Sequence, residues 1–369
     1  MPSLLQRLLH RPMTLAEGLK RGRADNYLWL RHIAAGLLIY SHSYALAPAA
    51  AGRSDVIAAF LPRLYGGKVA VLLFFAISGF LVTSSYLNHP SLWRFVKARI
   101  LRIYPAYAVC LVSMVIVTGL GFTSLSAREF FGAPETWSYL SSNVDLIGLR
   151  YTLPGAYAAS AYPGVVNGSL WSLALEVRLY AYLVLLAACG VLKWRALATA
   201  LLLAYIAGML WFGSGPDAEG KHALTLVFAA TAAAACAARY VPVSTRLLGL
   251  AVGIAWLLRD SALAYGLELT CIAYFSVWFA YRIPALPLRF PGDYSYGLFL
   301  YGFPAQQMIV QLDPGIGPLR LTLFAITLAT ALAVVSWHGI ERYALSLKDR
   351  PVQRLIPATA DQEAVGEKI

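Results

Sequence analysis

Apolar segments long enough to cross a bilayer recur along almost the whole chain, and this feature fixes most of what it can fold into. A span needs about 20 mostly apolar residues. Ten segments approach that standard: 28–47, 68–87, 103–120, 169–191, 196–212, 223–238, 246–259, 262–281, 295–312 and 320–338. In lipid, backbone polar groups must be satisfied within the segment that carries them, so such segments are helices. The expected fold is all-α: a polytopic integral membrane protein of about ten transmembrane helices. Charge agrees, because Asp, Glu, Lys and Arg make up 13% of the 369 residues and apolar types 59%, against roughly 25% and 45–50% in soluble domains. The 246–259 segment is the shortest, and a tilted or re-entrant course there would change the parity of the spans.

The distribution of positive charge sets the orientation. Of the 30 Lys and Arg residues, twenty fall on the side that holds both termini, eight fall on the other, and Arg31 and Arg178 lie within spans. The positive-inside rule then makes both termini cytoplasmic. It also explains the net charge of +12 without a nucleic-acid partner.

Residues 1–26 read as a basic amphipathic cytoplasmic segment resting on the membrane surface rather than a signal peptide. Residues 27–340 read as the transmembrane domain and 341–369 as a polar cytoplasmic tail. The connection 121–168 falls on the outer side and is too long for a mere linker. Its Tyr151, Tyr157 and Tyr162 alternate with Pro154 and Pro163, which suits an interfacial lid or a carbohydrate-contacting shelf. Asn167 reads as a helix N-terminal cap. The four cysteines lie in or beside apolar runs and no metal-ligand spacing occurs, so no metal is expected.

Ionisable residues at membrane depth are site candidates by default. Arg31 and His42 are eleven residues apart in the first span. That is almost three turns, so they share a helix face about 16 Å apart along the axis. In the fourth span, Ser169, Ser172, Glu176 and Tyr180 recur every three or four residues and form one polar stripe. Glu176 and His42 reach similar depths from opposite sides. A histidine oriented by a carboxylate is a general-base pair, so their meeting is an expectation. Arg99 and Arg102 share a face at the cytoplasmic start of the third span, where arginine forks suit phosphate oxygens. Pro105 should limit or kink that helix.

These pieces together resemble the acyltransferase 3 family of polytopic membrane acyltransferases. The matching residues are Arg31-x10-His42, then FFAISGFLV with Ser78, Gly79 and Phe80, and RILRIYP with Arg99 and Arg102. They continue with WSLALE (Trp171, Glu176), DYSYGLFLYGFPAQQ (Ser295, Tyr296, Gly297) and SWHGIER (Glu341). The resemblance implies a bacterial inner-membrane O-acyltransferase that acts on cell-surface or exported polysaccharide or its lipid-linked precursor. Acetyl-CoA is the expected donor and His42 the catalytic residue, with Glu176 as its partner.

By the same resemblance Arg31, Arg99 and Arg102 would handle the donor, and Ser78, Trp171, Ser172 and Tyr296 would line the substrate site. His42 would deprotonate the acceptor hydroxyl or itself carry the acyl group. Further expected partners are the lipid bilayer, a second copy of the chain or polysaccharide assembly machinery. Relatives often place a histidine a few residues after the SYG motif, where this chain has Gln306 and Gln307. Some relatives carry an appended hydrolase-like domain, and none is expected here. The competing reading is a carbohydrate or donor transporter, against which the two halves show no matching motifs.

Overall fold

A computed structural model describes residues 13–20, 26–50, 52–61, 63–212, 218–284, 286 and 290–349. Each of the ten apolar segments is a helix: α1 (Asn26–Leu46), α2 (Gly66–Asn88), α3 (Leu92–Gly121), α4 (Leu170–Ala188) and α5 (Arg195–Phe212), then α6 (Ala218–Cys236), α7 (Thr245–Leu257), α8 (Ala264–Arg282), α9 (Ser295–Leu312) and α10 (Pro318–Ser336). Four are long and apolar enough to cross a membrane by themselves: α2, α3, α4 and α10 with its extension to Ser346. The segment read as shortest is indeed short: α7 has 13 residues, none of them buried, and spans about 20 Å at 1.5 Å per residue.

Local chemistry sets the ends. The Ser91 hydroxyl accepts from the Arg94 N–H and caps α3, and Pro318 opens α10 where no intrahelical N–H is needed. α3 begins eleven residues earlier than the apolar run and continues through Pro105 instead of stopping there. Asn167 does not cap α4. Its side chain accepts from the Ser169 N–H at 3.1 Å and donates to the Leu300 carbonyl at 2.9 Å, which ties the start of α4 to α9.

α2 is the central helix, buried along most of its length. Close approach at glycines brings its neighbours in. Gly79 lies directly against the Phe228 carbonyl and Thr231 of α6, and Gly297 of α9 lies against Ala333 of α10. α1 packs on α2, α8, α9 and α10, whereas α4 packs on α2, α3 and α6. The periphery is apolar: Leu203, Leu210 and Trp211 on α5 and Leu250, Trp256 and Leu257 on α7 are exposed, as lipid-facing surface requires.

The connection between α3 and α4 is built rather than loose. It carries the helices Ala127–Gly132 and Pro134–Asn143, and buries Phe130, Tyr139 and Tyr157 completely. Gln307 of α9 holds it down, accepting from Ser160 Oγ and donating to the carbonyls of Tyr162 and Val165. At the opposite end, Met13–Thr14 pairs antiparallel with Pro242–Val243, and Leu15 N–H donates to the Val241 carbonyl at 2.8 Å. This part of the amphipathic segment is therefore docked on the helical body; residues 1–12 and 21–25 lie outside the described residues.

Candidate active site

On the side of the bundle where α1 and α3 begin, four charges meet from four separate stretches of chain. Asp293 stands just before α9 and accepts from both Arg31 (3.0 Å) and Arg102 (2.6 Å) through the same oxygen, Oδ2. Its other oxygen accepts from the Ser295 N–H and hydroxyl at the start of α9. Arg102 also reaches Glu341 Oε2 at 3.5 Å, and Glu341 Oε1 accepts from Ser336 Oγ at 3.0 Å. Glu341 closes a π-helical turn, Trp337–Glu341, that interrupts the α-helical ladder after α10. The insertion places its carboxylate inside, 2% exposed. Burial alone would raise the Asp293 carboxyl, but the Arg102 and Arg31 guanidinium groups, helped by Ser295, hold it well below the usual carboxylate range.

Beside this cluster opens a cavity of about 1040 Å³, at the upper end of the size range of small-molecule sites. Its wall carries six cationic side chains (Lys20, Arg31, Arg94, Arg99, Arg102, Lys348) and two carboxylates (Asp293, Glu176). Lys20 and Lys348 come from the two ends of the described chain, so the mouth is framed by both. Farther in the wall turns apolar, with Val71, Phe74, Phe75 and Phe299.

At that depth Glu176 Oε1 accepts from the hydroxyls of both Ser78 and Tyr180, whose own oxygens lie 3.2 Å apart. The Arg99 guanidinium stands over the Tyr180 ring, 5.8 Å from its centre. The cavity is thus basic at its mouth, apolar in its throat, and fitted with an ordered carboxylate and hydroxyl cluster.

Most of the residues expected at the site meet here. Arg31, Arg99, Arg102, Ser78, Ser172, Glu176 and Tyr296 all line the cavity. Tyr296 donates to the Ile103 carbonyl at 2.9 Å and offers its ring face to Arg102 at 5.5 Å, and Ser172 donates to the Ser169 carbonyl at 3.1 Å. Trp171 is off the wall and half-buried against the core. His42 is also off the wall: it is half-buried, sets its ring edge-on to Phe303 at 5.4 Å, and makes no hydrogen bond among the described residues.

The expected His42–Glu176 contact is not made in this structure. α1 and α4 both pack on α2, and the Glu176 carboxylate is taken by Ser78 and Tyr180. Next to His42, Ser43 accepts from Gln306 Nε2 (2.7 Å) and Thr322 (2.9 Å). The Oε1 of Gln306 is buried with no partner. Asp293 is the residue that sequence reasoning misses. It heads the DYSYG motif, but a carboxylate two residues before a helix reads as an end cap, and nothing in the sequence announces its two arginines.

The model of the acyltransferase 3 family, described as an acyltransferase domain, matches residues 26–338. The chain belongs to the acyltransferase 3 family. It is 27% identical over 344 residues to an O-acetyl transferase of Shigella phage Sf6, covering 86% of this chain and 94% of that one. Over 169 residues it is 30% identical to Nodulation protein 10 of Rhizobium leguminosarum bv. viciae, 43% of each chain. No solved structure matches it. Membership makes the chain an acyltransferase and sets aside the carrier reading, and the acyltransferase 3 match takes in every residue of the cavity wall except Leu19, Lys20, Leu345 and Lys348.

Proposed function

We propose that this acyltransferase 3 protein moves an acetyl group from acetyl-CoA, bound from the cytoplasm, to a hydroxyl of a cell-surface or exported polysaccharide or its lipid-linked precursor. The observation that carries the reading is the charge asymmetry of the cavity. Six cations against two carboxylates, in a chain that is 13% charged overall, fit a ligand with several phosphates and a narrow uncharged arm. The phosphates would sit at the mouth, where guanidinium and ammonium groups suit them, and the arm would run down the apolar throat towards Glu176. Acetyl as the group transferred is supported by the name of the phage relative.

In this reading the ten helices cross the bacterial inner membrane with both termini cytoplasmic, as the bias of twenty basic residues against eight suggests. The α3–α4 connection then lies outside, where acceptor arrives. The acceptor oxygen attacks the thioester carbonyl and gives its proton to His42, the carbon–sulfur bond breaks, and the released CoA thiolate takes a proton from water while His42 returns its own to the hydroxide left, so no net proton is gained or lost. Glu176, held by Ser78 and Tyr180, supplies a fixed negative charge at the inner end of the arm.

The test is transfer of labelled acetyl from acetyl-CoA to isolated polysaccharide by the purified full chain in detergent, with the new O-acetyl signal read by proton NMR. Transfer by the wild-type protein and its loss in His42→Ala is the expected result. A protein that binds CoA and transfers nothing to any glycan acceptor overturns the assignment.

A further inference from the structure

Arg31, Arg102, Asp293 and Glu341 form one paired set: two guanidinium groups and two carboxyl groups joined at 3.0, 2.6 and 3.5 Å. Paired in this way, the two arginines have little net field left for a ligand. Arg99 is different. It lies one turn before Arg102 on the same cavity wall, and among the described residues it has no carboxylate partner. Its Nε is buried without a hydrogen bond. A partly buried guanidinium that faces the cavity with an unpaired Nε–H has a donor left to offer, and an anionic ligand would satisfy it.

We infer that Asp293 is a positioning residue that decides where an anion binds: by neutralising Arg31 together with Glu341's hold on Arg102, it leaves Arg99 as the cation that receives a phosphate of the donor. The inference rests on the acyl-CoA reading above, and it separates three arginines that the sequence treats alike. Arg31 and Arg102 hold α1, α3, α9 and the turn after α10 in register; Arg99 holds ligand. Without the negative charge of Asp293, Arg31 and Arg102 become a second attraction one turn away, and donor settles at the wrong depth.

CoA itself is the probe, titrated calorimetrically into the full chain in detergent, with melting curves to confirm that each variant is folded. Arg99→Gln weakens CoA binding by about ten- to hundredfold, the range for a hydrogen bond to a charged group. Asp293→Asn binds CoA more tightly while kcat for transfer falls, and Asp293→Glu restores both. The charge-balanced double variant Arg102→Gln/Asp293→Asn keeps CoA affinity within about threefold, less than the loss of one such hydrogen bond.

Arg99→Gln with wild-type affinity, or a double variant that loses as much as Arg99→Gln, overturns the inference. Weaker CoA binding in Asp293→Asn in step with the fall in kcat overturns it as well. Should Asp293→Asn not fold, Asp293→Glu and the double variant carry the test of Asp293: the first keeps CoA affinity and kcat and the second keeps CoA affinity, and loss of affinity in either overturns the inference. Wild-type protein that binds no CoA at all defeats the donor reading instead.

Discussion

Arg102 and Asp293, 191 residues apart in the chain, meet at 2.6 Å and close the basic end of the bundle. Arg31 adds a second bond to the same carboxylate oxygen, so one side chain links α1, α3 and the start of α9. Breaking a buried pair by removing one partner leaves the others uncompensated, which costs about 3–5 kcal/mol. Asp293→Ala is therefore expected to lower thermal stability in detergent far more than an exposed substitution such as Asp260→Ala. The Asp293 carboxyl is held below its usual value near 3.8. A depressed carboxylate stabilises the fold above its ordinary pKa and loses that contribution only as pH falls through the folded value. The stability difference between wild type and Asp293→Asn should therefore be the same at pH 5 and pH 8, and a difference that shrinks between them counts against the assignment.

His42 stands apart from the donor cavity, against Phe303. His42→Ala should therefore lower transfer by about 10²–10⁴-fold, the usual contribution of a general base, and leave CoA affinity within about twofold, less than the loss of one hydrogen bond. Parallel loss of binding and rate would show that the histidine shapes the donor site.

Glu176 accepts two hydroxyl hydrogen bonds through one oxygen. Glu176→Gln can keep both acceptor contacts while losing the charge, so a fold-neutral fall in kcat of about a hundredfold or more is expected if the charge serves the chemistry. Tyr180→Phe removes one donor and should cost about tenfold at most. Melting temperature and single-turnover rate, measured on the same preparations, separate charge from packing.

Gln307 ties the outer connection to α9 through Ser160, Tyr162 and Val165. Gln307→Ala leaves these groups buried and unpaired, at a cost of about 1–3 kcal/mol. Faster amide exchange confined to residues 157–166, with a raised acceptor KM and unchanged donor KM, is the expected pattern. Exchange spread over α9 as well would place the weakness in the helix instead.

Gly79 lies against the backbone of α6 at Phe228. Gly79→Ala has no room for its methyl group unless α2 and α6 separate, so a loss of about 1–3 kcal/mol follows from overpacking. The same substitution at Gly253, where a Cβ meets nothing within 4 Å, should stabilise or leave stability unchanged, and differential scanning fluorimetry of the pair checks the contrast.

The sequence by itself determined the helices, because in lipid a backbone has few other ways to satisfy its polar groups. All ten apolar runs are helices within a few residues of the expected bounds, the chief exception being α3, whose polar first turns carry no hydropathy signal. It also marked Arg31, Ser172 and Glu176 as polar groups at membrane depth against an apolar background and Arg99 and Arg102 as a pair at a helix start, while Ser78 and Tyr296 came from the family resemblance. What only the tertiary structure decided is who meets whom. Helical periodicity places a side chain on a face but does not name the helix opposite, so Glu176 and Tyr180 were legible as neighbours on one stripe while the partner from α2, Ser78 rather than His42, was not. Asp293 became visible only when α1, α3 and α9 converged on it, because a lone carboxylate in a short connection has no pattern of its own, and its role is set by two guanidinium groups that arrive from far along the chain.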